Sequence, residues 1–199
     1  MSRSIVLLVI ALLGATAPHA FAQDPPRTVV TIIPGGGTFF TEAKDTNAPG
    51  FGNYDLGASV AVNFNRYVAL EGEVTSALGV TQEFSFQGQA FDQRSPDLLN
   101  YSGNVVFSAV NQTSVVPYVT GGVGGLTLFE KAAVGIDKSE TFLTGNLGGG
   151  VKWFKGQWGL RADYRFMAVQ SKDDAPAFFG QDTRYGHRVY GGVLVNLGR

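Results

Sequence analysis

The 199-residue chain contains no cysteine, so neither disulfides nor cysteine-ligated metal can hold its fold together. Charge is sparse as well. Asp, Glu, Lys and Arg make up 16% of the residues and the formal net charge is −1, becoming −2 when Arg3 is discounted with the leader described below. Such a balance offers no basic surface to nucleic acid. Beyond the first two dozen residues no apolar run approaches the roughly 20 residues that a membrane-spanning helix needs. Histidine is almost missing: past the leader there is only His187, in YGHRVYG. No serine stands near it in sequence to make a nucleophile–base pair, so it reads as a polar or interfacial residue and an enzyme is not expected. KDD at 172–174 lacks the ligand spacing of a cation site and reads as a solvated loop tip. No metal or cofactor is expected.

Against these absences, the N-terminus is distinctive. Arg3 precedes the apolar run IVLLVIALLGA, followed by PHAFAQ with small residues at Ala20 and Ala22. This three-part layout predicts a secretory signal peptide over 1–22, cut after Ala22. QDPPR, 23–27, reads as a short extended leader, and 28–199 as one domain. With 27 glycines and 12% aromatic residues, the composition suggests an all-β chain.

Period-two alternation dominates after residue 28. In NYDLGASVAVNF (53–64), Tyr54, Leu56, Ala58, Val60, Val62 and Phe64 share one face. Similar patterns predict strands at about 28–40, 67–77, 98–109, 116–129, 143–154, 157–168 and 185–198, the first and fifth interrupted by glycines. Eight strands result, each as long as the ~9–11 residues of a tilted membrane-crossing strand. Their connections alternate between tight turns (63–67, 111–114, 155–157) and long polar loops (41–52, 78–97, 130–140, 169–184). That rhythm predicts an eight-stranded antiparallel up-and-down barrel.

The segment GLRADYRF, 159–166, bears on which face is wet. Arg161, Asp163 and Arg165 alternate with Leu160, Ala162, Tyr164 and Phe166. Asp55, Glu71, Glu73 and Lys152 fall on the same polar phase, whose other members are mostly Gly, Ser, Thr, Asn and Ala. A water-facing exterior would carry more Lys and Glu, whereas a cramped interior needs small residues around a few charges. Aromatics near the strand ends (Phe39, Phe40, Tyr54, Phe64, Tyr67, Tyr118, Phe129, Trp153, Trp158, Tyr185) fit two interfacial girdles. The expectation is a transmembrane barrel with apolar residues against lipid and the charges inside.

Inside, Glu71, Glu73, Arg161, Asp163 and Arg165, with Lys152 and Arg188 joining, are the candidates for a lumen charge cluster. Buried charges need partners, and the signs are mixed. Two readings stay open: a gate or narrow polar path, or a static polar plug in a lumen only wide enough for side chains.

YVALEGEV (67–74), PYVTGGVGG (117–125), WGLRADYRF (158–166) and the closing YGGVLVNL (190–197) together resemble the outer-membrane β-barrel family of porin-family and OmpA-transmembrane-domain-like proteins. The resemblance implies export to the bacterial outer membrane, with membrane lipid and lipopolysaccharide as surroundings. It also implies that Tyr190, Gly192, Val195 and Leu197 form the C-terminal signal read by the barrel-assembly machinery, although the terminal aromatic is lacking and Gly198–Arg199 follow. No peptidoglycan-binding domain is expected from a sequence ending on the last strand. The resemblance does not imply a single activity; the role expected is structural or surface-exposed, with a mostly plugged lumen. The alternatives are a small-solute porin-like channel, or an adhesin acting through the loops at 78–97 and 169–184, whose Phe84, Phe86, Phe91, Phe178 and Phe179 either form recognition surfaces or fold back on the rim.

Overall fold

The computed structural model describes residues 27–41, 48–86, 89–109, 111–130, 136, 138–170, 172, 175–176, 179 and 183–197. The leader expected over 1–22, most of 23–27, and Asp173, Asp174, Phe178, Gly198 and Arg199 lie outside these residues, as do the side chains of 84–91.

Among the described residues ten strands form: β1 Thr28–Phe40, β2 Phe51–Asn63, β3 Val68–Gly79, β4 Thr81–Phe86, β5 Gln89–Arg94, β6 Leu98–Ser108, β7 Val115–Leu128, β8 Glu140–Lys155, β9 Trp158–Gln170 and β10 Arg184–Leu197. Eight of them close a barrel in the order β1-β10-β9-β8-β7-β6-β3-β2, antiparallel throughout. The first strand pairs with the last, Thr28 opposite Leu197. Closure leaves the barrel sheet without an edge, the condition for a sheet to sit in hydrocarbon.

Each tight turn has a local cause. In 63–67, the Asn65 side-chain oxygen accepts from the amides of Tyr67 (2.8 Å) and Val68 (2.9 Å). In 111–114, Asn111 accepts from the Thr113 amide at 2.9 Å. In 155–157, Gly156 adopts φ 65°, a backbone shape glycine takes without steric cost. These turns and both ends of the described barrel lie on one rim, and the long connections lie on the other.

Period two breaks once. The register of β1 shifts against both neighbours, between Ile32 and Gly35 toward β10 and between Ile33 and Gly37 toward β2. One extra residue is inserted at Pro34–Gly37, a bulge where proline's missing N–H is tolerated. Inward-facing residues are therefore Val29, Thr31 and Ile33 before the bulge but Thr38 and Phe40 after it. This overturns the girdle position expected for Phe40. Tyr118 is likewise buried, because it shares the inward phase of Thr120. The other eight girdle aromatics are exposed: Phe64, Tyr67, Trp153 and Trp158 at the turn rim, and Phe39, Tyr54, Phe129 and Tyr185 at the loop rim.

The connection 78–97, expected as a long loop, holds a second sheet. β4 and β5 pair as a hairpin separate from the barrel. Its base is tied down where β3 stops supporting β2. There the Gln82 carboxamide takes over both ladder bonds of Gly52, accepting from its amide at 2.9 Å and donating to its carbonyl at 2.8 Å.

Candidate functional site

The barrel interior is layered. At the loop end it is apolar. Phe40, Phe51, Leu98, Leu126, Leu128, Phe142, Met167, Val169 and Phe179 form one buried cluster with Ala77, Ile136 and Ala175. Phe142 stacks on Phe179 with ring centroids 4.8 Å apart, and Phe40 meets Phe51 at 4.9 Å. Phe179 is thus folded back into the barrel mouth rather than displayed. Arg184 binds this cap to the loops, donating to the carbonyls of Phe179 (3.0 Å) and Pro49 (2.8 Å). It also lies over the Phe51 and Phe179 rings, at 5.8 and 5.5 Å. At the turn end, Val29, Ala61, Ala69, Val106 and Leu194 are buried. The purely polar interior expected for an inverted barrel is confined to the middle.

That middle layer holds the predicted charges. Arg161 grips Glu71 with both terminal nitrogens, Nη2 at 3.2 Å from Oε1. Its Nη2 also reaches Asp163 Oδ2 at 2.7 Å, and its Nε lies 2.7 Å from the Tyr118 hydroxyl. Tyr118 in turn donates to Asp163. Arg165 donates from Nε to Asp163 Oδ1 (3.0 Å) and from Nη2 to Glu71 Oε1 (2.8 Å), and it pairs with Glu73 at 3.1 Å. Arg188 on β10 pairs with Glu73 on β3, three strands away, and the Tyr190 hydroxyl donates to Glu73 at 2.8 Å. All seven side chains predicted for the lumen face inward and are buried. Six are linked in one ion-pair network, drawn from β3, β9 and β10. Lys152 differs: no described carboxylate lies within ion-pair distance, and its ammonium sits 4.9 Å above the Tyr118 ring.

Alternation explains the geometry. Arg161, Asp163 and Arg165 are successive inward positions on β9, so Asp163 stands between two guanidiniums. Glu71 and Glu73 are successive inward positions on β3, which is not paired with β9. The side chains must therefore cross the lumen, and small residues make the room. An added Cβ at Gly148 would strike the Tyr164 carbonyl and crowd Arg165, and one at Gly150 would meet the Ala162 carbonyl and the Tyr118 hydroxyl.

Sequence reasoning missed four participants. Tyr118 and Tyr190 tie aromatic hydroxyls into the network, Ser59 donates to Glu71 at 3.2 Å, and Asn146 accepts from Arg165 at 3.5 Å. Each lies on the polar phase of its strand, the signal that could have found them. Asp55 faces inward apart from the network, its carboxylate accepting from the Thr38 hydroxyl at 2.8 and 3.0 Å. Of the four residues of the expected assembly signal, Tyr190 and Gly192 face the lumen, whereas Val195, half-buried, and Leu197, exposed, lie on the outer phase. His187 is on the outer wall, with Nδ1 2.8 Å from the Tyr164 hydroxyl. Among the described residues no three His, Cys, Asp or Glu side chains are grouped to hold a metal.

Solved structures share this architecture. Neisserial surface protein A, NspA, superposes with a TM-score of 0.61 at 13% identity, over 85% of this chain and 97% of its own. The outer membrane protein OprG of Pseudomonas aeruginosa gives 0.50 at 14% identity, over 90% and 100%. At such identities the likeness concerns the fold alone. No curated protein sequence matches the chain. The profile described as "Outer membrane protein beta-barrel domain" matches residues 7–193, nearly the whole sequence and all of the barrel but the last four residues of β10. Closed eight-stranded sheet, lipid-facing apolar exterior, buried ionic middle and matching profile agree: the chain belongs to the outer membrane protein β-barrel domain family and resides in the bacterial outer membrane.

Proposed function

We propose that this protein is a non-conducting barrel with a structural or surface-exposed role, and that its middle layer is a static plug. The observation that carries the reading is the sequence of three closed layers along the lumen: phenylalanines and aliphatics at the loop end, a cross-lumen ion-pair network at the centre, and small aliphatic side chains at the turn end. A solute path would have to displace all three. The part that meets the surroundings is then the loop rim with its β4–β5 hairpin, because short turns face the periplasm and long connections face outward in such barrels. Recognition of β10 by the barrel-assembly machinery, through Tyr190, Gly192, Val195 and Leu197, belongs to the same proposal.

Reconstitution in planar bilayers tests it. The wild type is expected to stay silent, and Arg161→Ala and Glu73→Ala should also stay silent, because the apolar layers above and below remain. Steady, voltage-independent ion conductance by the wild type would overturn the plug and favour a porin-like channel.

A further inference from the structure

The plug accounts for every charge inside its own network. Glu71, Glu73 and Asp163 balance Arg161, Arg165 and Arg188, three carboxylates against three guanidiniums. Lys152 adds one further positive charge, and it is only 5% exposed. No described residue accepts a hydrogen bond from its ammonium, which lies over the Tyr118 ring with 4.9 Å to the centroid. A ring face attracts a cation, but it leaves the three N–H donors of a lysine without oxygen acceptors. Buried polar groups in folded chains find such partners.

The place of Lys152 decides where an acceptor comes from. It is the register partner of Arg161, the last network charge before the β8–β9 turn, so it stands on the turn side of the ionic layer. Tyr118 packs there with Ala69 and Val106, in the layer of small aliphatic side chains. The carboxylates of the network are engaged elsewhere: Glu71 by Arg161, Arg165 and Ser59, Asp163 by both arginines and Tyr118, and Glu73 by Arg165, Arg188 and Tyr190. Asp55 is on the loop side, bonded to Thr38, the register partner of Arg188. Every other acidic residue of the sequence except Asp24 falls within the four long connections that belong to the loop rim.

We propose that Lys152 is an anion site at the turn end of the lumen, taking one carboxylate or inorganic oxyanion from the periplasmic side. Two sources share this chemistry: Asp24 of the chain itself, and a free ion such as phosphate. Asp24 has the reach. Eight strands ~4.8 Å apart and tilted ~40° close a ring of radius about 8 Å. The four residue steps from Asp24 to Thr28, where β1 begins, span up to about 13 Å. The inference needs the network to be neutral, not immobile, so a conducting lumen would overturn the plug and leave this site standing.

The test uses folded protein extracted from outer membranes in mild detergent, wild type beside Asp24→Asn. A water-soluble carbodiimide activates carboxylates. Attack by the Lys152 nitrogen then forms an amide, and the carbodiimide leaves as its urea, having taken up the lost water. Peptide mass spectrometry maps the link. A second arm measures reductive methylation of Lys152 against that of Lys155, which is exposed at the turn, with inorganic phosphate or with chloride at matched ionic strength. If Asp24 is the source, wild type gives an Asp24–Lys152 link, and phosphate slows methylation of Lys152 in Asp24→Asn. If a free ion is the source, no such link forms and phosphate slows methylation of Lys152 in wild type. At ten times its dissociation constant the slowing is about tenfold, and Lys155 is unaffected in either case. A link from Lys152 to Glu71 or Asp163, or neither an Asp24 link nor phosphate protection, would overturn the site. So would equal protection of Lys155.

Discussion

Removing Glu71 should do more damage than removing any other single side chain of the plug. Its carboxylate accepts from both terminal nitrogens of Arg161, from Arg165 Nη2 and from the Ser59 hydroxyl. Three of those bonds involve guanidinium donors, each worth about 1.5–3 kcal/mol net, which sets an upper limit near 9 kcal/mol. The full sum is not expected, because Arg161 keeps Asp163 and Tyr118, and Arg165 keeps Asp163 and Glu73. What Glu71→Ala leaves behind is one uncompensated positive charge in a closed lumen, the case for which breaking a buried pair costs about 3–5 kcal/mol. At 1.4 kcal/mol per decade, the folded-to-unfolded ratio drops roughly 10²- to 10³-fold or more. The assay is urea unfolding in lipid vesicles followed by heat-modifiable mobility. Leu160→Ala, on the lipid side of β9, serves as the reference. A second arm replaces the pair by apolar side chains of similar volume, Glu71→Leu with Arg161→Met, and should recover most of the loss, since such exchanges are often neutral. A loss below about 1 kcal/mol for Glu71→Ala, the range of exposed ion pairs, would refute the account of a dry, closed middle layer.

Three further changes probe the rest of the barrel. Phe142→Ala should cost about 3–5 kcal/mol by opening a cavity against Phe179, read by the same unfolding assay and by faster protease cleavage of the 169–184 connection. Gln82→Ala removes the side chain that completes the ladder at Gly52. It should cost about 1–3 kcal/mol and raise hydrogen exchange at the Gly52 amide, while the amides of Gly57 and Ala58 keep wild-type protection. Gly150→Ala drives a methyl group into the Ala162 carbonyl, so the protein should run at its unfolded mobility with or without heating.

The fold was legible because a barrel wall in lipid has one instruction per residue, in or out, and period-two alternation writes it directly. β8 begins at Glu140 and β2 at Phe51, a few residues outside the expected spans, because strands extend past the membrane band where no lipid enforces alternation. The hairpin of β4 and β5 went unread for the same reason. Standing off the barrel, it has no lipid face to select apolar residues at every second position. Inside, charge was legible and aromatic filling was not. Tyr118, Phe142 and Tyr190 share the phase of Thr120, Thr144 and Arg188, so counting phase rather than ring type locates them. Phe40 could not be placed that way, since the bulge at Pro34–Gly37 inverts the phase just before it. Position near a strand end suggested a girdle, but the burial of Phe40 follows from one inserted residue.

The ionic layer is better explained as a device for register than as a source of stability. Its gain against a packed apolar core is small by the same reasoning that makes the Leu–Met replacement neutral. Its value lies in the alternatives it forbids. Sliding β9 by one residue against β8 and β10 would turn Arg161, Asp163 and Arg165 toward acyl chains. Each arginine alone costs about 2–4 kcal/mol at the bilayer midplane. The slip would also put Leu160, Tyr164 and Phe166 on the lumen face and leave Glu71 buried without its guanidinium partners. Three charges at alternate positions on one strand, matched to two on β3 and one on β10, therefore admit a single registration of eight strands. Apolar layers above and below this belt can then pack as densely as any soluble core.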